Sequence, residues 1–144
     1  MNDKRDKIVN EIIGILKTQD WKPAKFSGIS TRKEYYICSL RYRPQGIKHL
    51  YIGRWSYPDL EGVFLCAQPS SPNGTKRLMN EGFKHHLPPG WGNNWFFKRL
   101  ISDDNIIKLH KMTDTTKRNV LIKLLLNNTY PFIYWALKGT NINA

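Results

Sequence analysis

The sequence predicts an α+β domain: an N-terminal helix packed on a small antiparallel sheet, a three-stranded meander with a possible fourth strand, and a helical C-terminal part. Three observations carry this expectation. Ile8, Val9, Ile12, Ile13, Ile15 and Leu16 recur at three- and four-residue spacings, which makes one apolar stripe on a helix over residues 2–17. Residues 34–68 are rich in aromatic and β-branched side chains and are broken at Pro44 and Pro58, as strands joined by turns are. From Ser102 onward the apolar positions return to helical spacing. A chain of 144 residues suits one domain spanning 1–144.

Taken in order, Asn2 or Asp3 is placed to cap the first helix, and its acidic first turn suits the helix dipole. That helix should end before Pro23, and residues 22–31 read as a linker. The first strand, 34–43, sets Tyr36, Cys38, Leu40 and Tyr42 against Tyr35, Ile37, Ser39, Arg41 and Arg43. Arg43-Pro44-Gln45-Gly46 suits a type I turn. The second strand sorts Tyr51, Gly53, Trp55 and Tyr57 onto one face, with Leu50, Ile52, Arg54 and Ser56 on the other. Residues 58–62 turn into a third strand, 63–68, that is apolar on both sides as a covered central strand would be, and the first helix is its natural cover.

Ser71 and Pro72 then begin a short helix expected to reach about residue 84, with Leu78, Met79 and Phe83 inward. Residues 85–94, with two prolines and two glycines, read as irregular. Residues 95–101 read as a strand. Ser102 caps a helix carrying Ile106, Ile107 and Leu109, and Thr113 or Asp114 caps another through 127 with Val120, Leu121, Leu124 and Leu125 as its stripe. A last helix is expected from Pro131 to Gly139.

Charge is the bulk property that speaks to partners. Lys and Arg number 23 against 11 Asp and Glu, a formal net charge of +12. Such a surplus attracts polyanions, above all nucleic acid, DNA or RNA, with an acidic protein surface as the rival. No apolar run approaches the roughly 20 residues that span a bilayer. The charged first turn gives no sign of a secretory leader, so a cytoplasmic location and no membrane partner are expected. Cys38 and Cys66 fall inside strand patterns and read as buried thiols, although neighbouring strands in register would permit a disulfide. No paired-cysteine zinc pattern, phosphate-binding glycine loop or nucleophile elbow is present, so no metal and no cofactor are expected.

Tyr51-Ile52-Gly53 with Arg54 resembles half of the GIY-YIG nuclease signature, and Tyr35-Tyr36-Ile37 stands where the other half would be. The resemblance would imply tyrosines on paired strands facing a helical arginine and a metal-binding glutamate. Here the first element lacks its glycine, and a turn and strand follow Arg54 in place of the helix. Pro58-Asp59 invites comparison with the PD-(D/E)xK nucleases, but no acid and lysine two residues apart follow on the next strand. Packing tyrosines and polar turn residues account for both stretches. His85-His86 reads as a solvated pair ending a helix, and His49 and His110 as surface or satisfied structural residues.

What remains is cations interleaved with aromatics. The expected function is therefore a small, non-catalytic nucleic-acid-binding module. Arg41, Arg43, Arg54, Lys76, Arg77, Lys98 and Arg99 would contact phosphates, and Trp91, with Trp55 behind it, would stack on bases. The alternatives are a protein-binding inhibitor or accessory subunit of a nucleic-acid-processing or defence machine, and a divalent-metal nuclease.

Overall fold

In a computed structural model of the chain, the residues described are 1–17, 24–25, 33–36, 46–55, 60–85 and 94–129. Element order is α1 (Asn2–Lys17), β1 (Ala24–Lys25), β2 (Lys33–Tyr36), β3 (Ile47–Arg54), β4 (Val63–Pro69), α2 (Pro72–Asn80), β5 (Lys84–His85), β6 (Phe96–Ile101), α3 (Asp103–His110) and α4 (Asp114–Thr129). The strands form one antiparallel sheet in the order β1-β2-β3-β4-β6-β5, in which β1 and β5 are two-residue edges around four longer strands. This is the α+β architecture that periodicity predicts, with β6 as the fourth strand beside the meander.

The sheet separates two apolar layers. Ile8, Val9, Ile12, Ile13 and Ile15 of α1 are buried against Leu50 and Ile52 of β3 and Val63, Leu65 and Ala67 of β4, and the same layer takes in Leu78, Ile106, Leu109, Leu121 and Leu125. Each buried isoleucine contributes about 1.5–3 kcal/mol of transfer free energy, so α1 is the main cover of this face. Tyr51, Trp55, Leu60, Phe64, Cys66, Trp95 and Phe97 form the second layer. Strand alternation dictates the sorting, which is the one expected for the second strand: Leu50 and Ile52 lie on the α1 side, Tyr51 and Trp55 on the other. Cys66 is a buried free thiol.

Ion pairs tie α1 to its surroundings. Arg5 donates from Nε and Nη2 to the two carboxylate oxygens of Asp103 on α3, at 2.8 and 2.5 Å. This pairing holds the Asp103 carboxyl below the usual carboxylate range and raises Arg5. Arg54 Nε meets Asp6 Oδ1 at 3.0 Å, and Lys117 Nζ meets Glu11 Oε1 at 2.6 Å. His110 Nε2 lies 3.1 Å from the Lys4 carbonyl.

Two local devices set the strand edges. Gly74 lies so close to Gly46 that a Cβ on it would stand 1.8 Å from the Gly46 oxygen, and Ser70 N–H donates to that oxygen at 2.8 Å. Helix α2 is thus clamped on the chain entering β3, with the Ser71 hydroxyl accepting from Gly74 N–H at 3.1 Å as its cap. At its other end Gly82 adopts φ 88°, Gly82 N–H donates to the Met79 carbonyl at 3.1 Å, and Phe83 N–H donates to the Leu78 carbonyl at 3.0 Å. That pair of bonds is a Schellman stop.

Several expectations need correction. Helix α2 ends at Asn80 and not near residue 84, because Gly82 takes the left-handed turn. His85 lies in β5 and not at a helix end, since that stop aims the chain back along β6. Met79, expected inward, is 61% exposed, and α2 buries Leu78 instead; on α3, Ile106 and Leu109 are buried while Ile107 is exposed. The caps Ser71, Ser102 and Thr113 are as expected. The linker, the rest of the first strand, the turn at Pro58 and the last helix lie outside the described residues.

Asp6→Ala removes a carboxylate that faces the buried Arg54 guanidinium, so it should cost more than about 1 kcal/mol in urea unfolding. Asp3→Ala, at an exposed site, should cost less than about 1 kcal/mol. Gly82→Ala forces an L side chain into the left-handed region and should cost about 1–2 kcal/mol, read in the same experiment.

Candidate functional site

Strand β6 is where the chemistry collects. Its pairing with β4 runs Ala67 with Phe96, Cys66 with Phe97, Leu65 with Lys98 and Phe64 with Arg99, then skips Leu100 so that Val63 meets Ile101. The skipped residue is a bulge. It lets Leu100 and Ile101 both join the α1-side core while Arg99 stays on the aromatic face. The guanidinium carbon of Arg99 accordingly sits 5.3 Å from the Phe64 ring centre. Lys98 projects to the other side, with Nζ 6.0 Å from the Phe83 ring centre.

The Schellman stop brings β5 onto the outer edge of β6, pairing Lys84 with Phe97 and His85 with Phe96. The His85 ring stands 5.2 Å from that of Phe96. Beyond Phe97 the edge turns into a concavity of about 520 Å³ lined by Leu60, Phe64, Gly82, Lys84, His85, Phe97, Lys98 and Arg99. Its floor is apolar, where Phe64 and Phe97 meet edge to face at 6.4 Å. Its rim carries the cations Lys84 and Arg99, both exposed, and the half-buried Lys98, with the exposed ring of His85 beside them. Partial burial pushes the Lys98 ammonium below its ordinary pKa, against the pull of Glu81. The side chain thus holds its charge at a cost in hydration.

Other concavities are less suited to a charged ligand. One of about 330 Å³ between α1 and α4 already contains the Glu11–Lys117 pair. Another, of about 540 Å³, lies at the start of α2, where Ser71 already satisfies Gly74 N–H.

The structure separates the expected site residues. Lys98 and Arg99 share the concavity. Lys76 is exposed and Arg77 half-buried on α2, whose closing glycine lines it. Arg54 is only 8% exposed and engages Asp6, and Trp55 is 1% exposed with its ring edge-on to Phe97 at 5.1 Å. Neither is offered to a ligand: Arg54 lies on the strand face that α1 covers, and Trp55 lies inside the aromatic layer. Tyr51 stacks on Trp95 at 5.8 Å and on His49 at 5.9 Å, a packing role. Arg41, Arg43 and Trp91 lie outside the described residues. Lys84 and His85 were missed by sequence reasoning; the signal was Glu81-Gly82-Phe83, a glycine stop followed by an apolar anchor.

No protein-family model matches the chain, and no curated protein or solved structure matches it either. Among the described residues, no helix is long and apolar enough to cross a membrane.

A lysine whose pKa is lowered on folding opposes stability below that pKa, and the penalty fades as rising pH removes its proton. Lys98→Met keeps the stem and removes the charge. Its melting temperature near neutral pH should equal or exceed the wild type's, with the gap closing as pH climbs through the lysine range. A lower melting temperature would make Lys98 a packing residue.

Proposed function

We propose that the chain binds nucleic acid, chiefly through phosphate contacts at the β5–β6 rim, and acts as a non-catalytic module. One observation carries this: Lys84, Lys98 and Arg99, with His85 beside them, share one concavity in a chain of net charge +12. Cations gathered in a partly desolvated cleft concentrate field and attract anions more strongly than the same charges spread over open surface. Exposed Lys76 and half-buried Arg77 on α2 are further candidate contacts on a helix that ends at the concavity.

A protein partner with an acidic surface is the second reading. It is favoured by the burial of Trp55 and Trp95, which leaves the described sheet face without an exposed indole for base stacking. Pull-down with nuclease treatment separates the two readings: a partner that survives digestion supports the protein.

If three cations displace counterions from single-stranded nucleic acid or duplex, affinity should fall about 20- to 40-fold between about 50 and about 200 mM salt. Gel shift with random DNA and RNA measures this. Arg99→Gln should weaken binding and flatten the salt slope by about one unit. Absence of retardation at micromolar protein in the lower salt overturns the proposal.

A further inference from the structure

We draw no further inference here: the strongest candidate, the groove between α1 and α4 beside the Glu11 carboxylate, is lined by Lys117 and Arg118 as well as Glu11 and Asp114, so its charge selects no class of ligand, and nothing in the structure shows what covers it.

Discussion

Helix α1 is the constraint on which the rest of the molecule depends. A sheet with apolar side chains on both faces needs cover on each, and the isoleucine stripe of α1 provides it on one. The same helix fixes the bearing of the C-terminal helices through Arg5–Asp103 and Lys117–Glu11, and of β3 through Asp6–Arg54. Burial supplies the free energy, while the paired charges choose one arrangement among the many that would bury the same stripe. Breaking one buried pair costs more than the pair contributes net, because the remaining charge stays desolvated. The helix is therefore held in register by what a wrong register would strand.

This arrangement also shapes the electrostatics. Asp6, Glu11 and Asp103 face Arg54, Lys117 and Arg5, so these acids are occupied within or beside the helical layer. The remaining exposed cations are spread over α1, α2, α3 and α4 as well as the concavity, for example Lys4, Lys76, Lys108 and Lys123. In the nucleic-acid reading proposed above, long-range attraction of a polyanion would be a property of the whole surface, and the β5–β6 concavity would be the place among the described residues where it is held. A general field that steers and a local cleft that holds are separable functions, with different dependence on salt.

What periodicity can express was legible in the sequence. The stripe of α1, the capped helices α3 and α4, and the face-sorting of Leu50 and Ile52 against Tyr51 and Trp55 all follow from spacings of 3.6 and 2. Charge partners are not periodic. Arg54 looked available because Asp6 lies 48 positions away in the sequence, and nothing local announces the pair. Trp55 looked like a stacking residue because alternation names a face without saying whether that face is covered. Strand β5 is two residues long, too short for any pattern, and exists because Gly82 turns the chain and Phe83 anchors it. Half of the candidate site therefore arises from one glycine stop, and the other half from a bulge at Leu100 that only the pairing reveals.

Lysines at a sheet edge have an ordinary explanation, since charge on a short edge strand discourages pairing with another chain. Lys84 alone would need nothing more. Lys98 and Arg99 differ in their surroundings. A residue that guards an edge keeps its ammonium fully hydrated, because its purpose is to make burial of that edge expensive. Lys98 instead gives up part of its hydration, which lowers its pKa. Arg99 lies across the Phe64 ring when it might have extended outward. If the proposed anion binds there, the hydration that Lys98 has already given up need not be surrendered again when the ligand arrives.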